Sequence, residues 1–188
     1  MILRMLGAWL LAGATVGAAA ADAQFGVLDI TLGASYGRLE RDLDFRNLDA
    51  ALAGTQSGKP DLGRRGYGCT PRDDDFADTG CVSHAERLDG VETREIRLHF
   101  LEGRLQQFSL TAEIQHQAAV IAYLRARYGA PQTLPAASAG GEPILQWQSE
   151  AARIDAHRGR DLVFVSFELA SYPAAVKRKR AGQRLQCD

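Results

Sequence analysis

The clearest period-two pattern in the chain is Glu95-Ile96-Arg97-Leu98-His99-Phe100. It places Ile96, Leu98 and Phe100 on one face of a strand and Arg97 and His99 on the other. Glu102-Gly103-Arg104 follows as a tight turn, with Gly103 free to adopt positive φ. Leu105 to Ala112 then returns as a second strand, Phe108 and Leu110 inward and Gln107, Ser109 and Thr111 outward. Beyond it the period lengthens, and Val120, Ile121, Leu124 and Tyr128 form one helical stripe that Gly129 and Pro131 bring to a stop. A flexible connection over 134–143 leads to strands at Leu145–Trp147, Arg153–His157 and Leu162–Leu169. The last begins almost wholly apolar, as a central strand does. Upstream, 25–32 is a short β-prone segment, and Gly33 and Ser35 mark a turn and a helix N-cap. Leu39, Leu43, Leu48, Ala51 and Leu52 predict a helix, broken near Asp44 and ending at Gly54. The segment at about 55–92, rich in Gly, Pro, Asp and Ser, is expected as a long loop insertion.

Set end to end, these elements predict an α+β fold: an antiparallel sheet with helices on one face, covering the Ile96, Phe108, Trp147 and Ile154 sides and leaving the opposite face polar. The segments 35–112 and 115–169 read as two tandem α-β-β units. Together they make a single domain over 24–170, followed by a basic helix or tail over 171–188. Ile30-Thr31-Leu32-Gly33-Ala34-Ser35, a turn entering a helix, resembles the opening of the BamE (SmpA/OmlA) outer-membrane-assembly family. The tandem order is similar to that of the β-lactamase-inhibitor-protein-like fold. The resemblance implies a periplasmic binding or scaffolding module without a cofactor, and it carries over no functional residue. The chain departs from the BamE pattern in having no lipidation cysteine, its first cysteine being Cys69, and in its 55–92 insertion.

Composition narrows the function classes. Of 188 residues 46% are hydrophobic and 24% charged, with 22 Lys+Arg against 23 Asp+Glu. A net charge of −1 lacks the cationic field of a dedicated nucleic-acid binder. Residues 1–23 are expected to be a cleaved secretory signal. Arg4 opens it, an apolar run spans Leu6 to Val16, and Ala21-Asp22-Ala23 fits the A-x-A pattern before Gln24. The mature protein is then periplasmic or secreted. Cys69 and Cys81, flanking a polar acidic segment, are expected to form a disulfide, a bridge worth roughly 3 kcal/mol for so short a loop. Cys187 is left either free or paired between chains.

Catalytic motifs do not emerge. His84, His99, His116 and His157 fall in no zinc spacing, and neither a G-x-S-x-G elbow nor a dinucleotide fingerprint is present. Asp73-Asp74-Asp75-x-x-Asp78 fails the EF-hand pattern, with Asp78 where a glycine is needed and His84 where a glutamate is needed. No catalytic residue, metal or cofactor is therefore assigned. Three alternatives remain. The leading one is a non-enzymatic module binding a protein or envelope component, with Arg97, His99, Asp155 and His157 on a polar sheet face as contact candidates. The second is a small hydrolase or acid–base enzyme in which Asp155 raises a histidine pKa within the group His99, Asp155 and His157. The third uses Lys177, Arg178, Lys179 and Arg180 for weak contact with an anionic surface, unless these cations merely complement, in solvent, the end of a helix of about ten residues with little apolar face.

Overall fold

The computed structural model describes residues 25–48, 66–83, 87–88, 90–136 and 141–186. The expected leader, the second half of the helix expected to reach Gly54, His84 and Cys187 lie outside the described residues. The chain opens with a small hairpin of β1 (Gly26–Val27) and β2 (Ile30–Thr31). Helix α1 (Tyr36–Asp42) follows, with the Ser35 hydroxyl accepting from the Arg38 N–H at 3.3 Å as its N-cap. It stops at Asp42, where the sequence predicts a break near Asp44. Leu43 is extended, and β3 (Asp44–Asn47) takes over, because Phe45 packs its ring on Tyr36, Tyr67 and Phe100 at centroid distances of 5.3, 5.8 and 6.0 Å.

Next come β4 (Gly66–Pro71), β5 (Thr79–Ser83), the short β6 (Arg87–Leu88), β7 (Val91–Leu101) and β8 (Arg104–Glu113). After a 3₁₀ turn, α2 (Gln117–Tyr128) leads to β9 (Gln132–Leu134), β10 (Ile144–Gln148), β11 (Ala152–Arg158), β12 (Leu162–Leu169) and α3 (Tyr172–Gln186). The strand order is β3-β4-β5-β7-β8-β12-β11-β10-β9, with β6 pairing β7 to one side. Every neighbour in this order runs antiparallel except β3 beside β4. The α+β class is as the sequence predicts.

The expected loop insertion is corrected in part. Residues 66–71 and 79–83 are strands of the main sheet. Their pattern escapes a search for large apolar residues because Gly68 and Gly80 take outward positions beside Thr70 and Val82, while Tyr67, Cys69, Cys81 and Ser83 are the inward, buried ones. Cys69 and Cys81 face each other directly across β4 and β5 and are joined as a disulfide. Between these two strands the acidic connection remains a loop, and residues 55–65 of the expected insertion lie outside the described residues. Each half of the fold is thus a helix and a four-stranded meander, β4-β5-β7-β8 after α1 and β9-β10-β11-β12 after α2. This is two strands more per unit than the α-β-β reading. The last strands of the two meanders, β8 and β12, pair antiparallel at the centre.

The β7–β8 hairpin turns on Glu102 and Gly103, both with positive φ (55° and 69°), which is a type I′ connection matched to strand twist. Helix α2 buries Val120 and Leu124 and half-buries Ile121 and Tyr128. Its end is anchored from both halves. The Tyr128 hydroxyl donates to the Gly26 carbonyl, and the Trp147 indole N–H donates to the Gly129 carbonyl at 2.8 Å. Leu39, Val120 and Leu124 cover one sheet face, made of Ile96, Phe108, Trp147, Ile154, Val165 and Phe167 in one buried cluster. At its centre the Phe108 and Phe167 rings stack 4.2 Å apart at 9°. No helix among the described residues is long and apolar enough to cross a membrane.

Because this ring pair sits on the strands that join the halves, Phe167→Ala should cost about 3–5 kcal/mol, as large-to-small changes at well-packed core aromatics do. Urea unfolding followed by tryptophan fluorescence measures it. A loss below about 1 kcal/mol would show that the halves do not depend on this packing.

Candidate functional site

The period of two that buries one side of each strand sends the intervening residues to the other, open side. Registers align them in rows across the sheet. One row runs Thr70, Gly80, His99, Gln107, Glu168, Arg153, Gln148. The next runs Gly68, Val82, Arg97, Ser109, Ser166, Asp155, Gln146. A third carries Glu95, Thr111, Phe164 and His157. The face is therefore largely polar, mixing hydroxyls and amides with charges and two histidines.

Arg97, His99, Asp155 and His157 all stand on this face, as their strand positions predict. They do not converge. Two strands, β8 and β12, separate His99 on β7 from Asp155 and His157 on β11, three steps of about 4.8 Å each. Asp155 is instead engaged by its neighbours, accepting from Gln146 Nε2 at 2.8 Å and pairing with Arg153 at 3.0 Å. His157 stacks on Phe164, centroids 5.2 Å apart at 13°. Arg97 pairs with Glu95 on its own strand. Arg153 also meets Glu168 at 3.0 Å, and burial, with the nearby Asp155 charge, raises the Glu168 pKa against the pull of Arg153. Side chains so paired and dispersed do not make an acid–base constellation.

Phe164 is the feature that sequence patterning hides. Within Leu162-Val163-Phe164-Val165 an apolar run masks which residues face outward, and Phe164 is the outward one, 36% exposed. Gly159 clears its place: a Cβ there would lie 2.8 Å from the ring. The signal available in the sequence was the alternation with the inward Val163, Val165 and Phe167.

His99 occupies a different setting. It lines a recess with Thr70, Arg72, Val82 and Arg97, and its Nδ1 is shielded from solvent with no hydrogen-bond partner among the described residues. Burial lowers its pKa, the Arg72 charge pushes the same way, Asp74 opposes and Arg97 lowers it further. The imidazole is neutral near pH 7.

The acidic loop and the basic tail, separate features of the sequence, meet in the fold. Arg178 makes a two-pronged contact with Glu102 at 3.0 and 2.9 Å. Lys179 reaches Asp78 at 2.9 Å and the Ala77 carbonyl at 2.6 Å. Arg180 pairs with Asp75 at 2.8 Å and lies over the Phe76 ring. Lys177 is exposed. The tail helix also differs from the expected ten residues with little apolar face. It has 15 residues, and Tyr172, Ala175 and Val176 pack on Leu101. The Tyr172 hydroxyl donates to the Phe76 carbonyl at 3.0 Å; burial, with Glu168 and Asp74 adding to it, pushes its pKa up to about 12. Among the described residues no group of three His, Cys, Asp or Glu side chains is placed to hold a metal ion.

No family model, curated protein or solved structure matches the chain.

The depressed His99 pKa has a signed consequence. Below its ordinary value of 6.5 the unfolded chain takes up a proton that the folded chain resists, so stability falls as pH drops from 7 through 6.5 towards the folded value. His99→Gln should flatten that part of the profile. Urea midpoints of both proteins at pH 7.5 and 5.5 measure the difference; an unchanged slope would mean that His99 is freely hydrated.

Proposed function

We propose that the protein is an exported, non-enzymatic binding module that contacts a protein or cell-envelope component through the open face of its sheet. The observation that carries the reading is the Phe164–His157 ring pair, exposed among Ser166, Thr111 and Ser109. Protein contact surfaces combine an aromatic anchor with short, adaptable polar groups, and most of their energy comes from a few such anchors. Export is supported by the leader pattern of residues 1–23 and by the Cys69–Cys81 bridge, since disulfides persist in oxidising compartments. The α+β sheet with one face covered suits the scaffolding role that the BamE-like resemblance implies. Two observations favour the sheet face over its rivals. Separation of His99 from Asp155 and His157 disfavours acid–base turnover, and three of the four clustered tail cations already have carboxylate partners within the chain.

A photoreactive residue at Ser166 or Thr111, introduced in producing cells, should yield a discrete adduct. One at Arg125, on the exposed side of α2, should not. Adding Phe164→Ala should reduce the Ser166 adduct about tenfold or more, the loss typical of a contact anchor. Equal labelling from Arg125, or no adduct from the sheet face, would contradict the reading.

A further inference from the structure

The recess beside His99 has a definite origin in the sequence. Gly68 and Gly80 occupy outward positions on adjacent strands, opposite Val82 and Thr70, so neither adds a side chain to the open face there. The result is a cavity of about 350 Å³, at the small end of the range for small-molecule sites. Gly80 also sets the course of one wall. A Cβ there would come 3.1 Å from Cδ and 3.3 Å from Cγ of Arg72, so the arginine stem crosses directly over the glycine.

The polar groups of this recess are mainly donors. Arg72 uses Nε and Nη2 on Asp74 at 2.7 Å, and Arg97 uses the same two nitrogens on Glu95, which also lines the cavity. Both guanidinium groups are held in place by these pairs, and Nη1 of each takes no part in them. An N–H at the shielded, unpartnered Nδ1 of His99 would be a buried unsatisfied donor, so the ring proton belongs on Nε2. The Thr70 hydroxyl completes the wall. Two of the three charges that act on His99 are cationic, Arg72 and Arg97 against Asp74.

We propose that this recess binds a carboxylate, received between Arg72 and Arg97 with Thr70 and the His99 Nε2–H as further donors. Guanidinium groups already fixed by their own partners lose little freedom on accepting a planar oxyanion. The carboxylate has two sources, a small free acid or the C-terminal carboxylate of a protein seated on the open face. The second source rests on the contact-face reading above; the first does not.

Proton NMR of the His99 ring in the purified, oxidised chain tests this, with His99→Gln assigning the signals. The probes are succinate, trialanine and trialanine amide, with sodium chloride at matched ionic strength. The expected result is a saturable movement of the His99 signals at concentrations on the order of 1–10 mM with succinate, trialanine or both. Succinate alone assigns a small acid, and trialanine alone assigns a chain end. Arg72→Gln and Arg97→Gln should each weaken the response about tenfold, the cost of losing a charge-assisted hydrogen bond. Gly80→Ala keeps every charge but displaces Arg72, and it should weaken the response several-fold. No saturable movement with either acid would overturn the proposal, as would an equal response to the amide or to chloride, or responses untouched in all three variants. A saturable response to succinate without adducts from Ser166 would leave the recess standing and remove the contact face; adducts without a carboxylate response would do the reverse.

Discussion

The antiparallel pairing of β8 with β12 is the interaction on which the architecture depends. Each half of the chain supplies a helix and a four-stranded meander, and both meanders contribute to one continuous buried face. Seven residue pairs from Leu162↔Glu113 to Glu168↔Gln107 join them into one sheet. Along this seam Phe108 meets Phe167 and Leu110 meets Val165 on the covered side, while Ser109 meets Ser166 and Thr111 meets Phe164 on the open side. A one-residue slip of β12 would turn Val163, Val165 and Phe167 to the open side and Phe164 to the covered one. The same register therefore fixes both the core and the composition of the contact surface.

Charge is handled locally rather than as a field. Arg153 bridges Asp155 and Glu168, Arg97 holds Glu95, Arg72 holds Asp74, and the tail cations meet the acidic loop and Glu102. Exposed pairs of this kind add little stability individually. Their effect is on specificity: a surface whose charges are paired offers few long-range attractions and leaves shape, hydroxyls and one aromatic pair to discriminate between partners. The His99 recess is the local departure, where glycine removes side-chain bulk and two guanidinium groups surround a neutral imidazole.

Much of this was legible in the sequence, and its limits have physical causes. Ile96, Leu98 and Phe100 alternate with polar residues, Gly103 demands its turn, and Val120 and Leu124 keep helical spacing; all of these take the places that their patterns predict. The Ser35 cap and the Cys69–Cys81 bridge were equally readable. Strands β4 and β5 were not, because glycine on their outward positions and a cysteine pair on their inward ones look like loop composition. The break in the first helix near Asp44 was readable, but the strand β3 that fills it was not, because the aromatic packing of Phe45 that holds it comes from distant residues. At the candidate site, periodicity gave the face of His99, Asp155 and His157 correctly but not the strand order that separates them, since β8 pairs β12 across a long stretch of sequence that holds α2 and three other strands. The meeting of the acidic loop with the basic helix is likewise a long-range contact, visible in sequence only as two complementary charge clusters.

The most direct measurement is hydroxyl-radical footprinting of the protein in intact producing cells and after purification. The account requires Phe164 and His157 to lose reactivity in the cell relative to the free protein, while Leu28, exposed in the β1–β2 turn, keeps its own. Equal labelling of Phe164 and His157 in both settings would mean that the open face of the sheet meets only water.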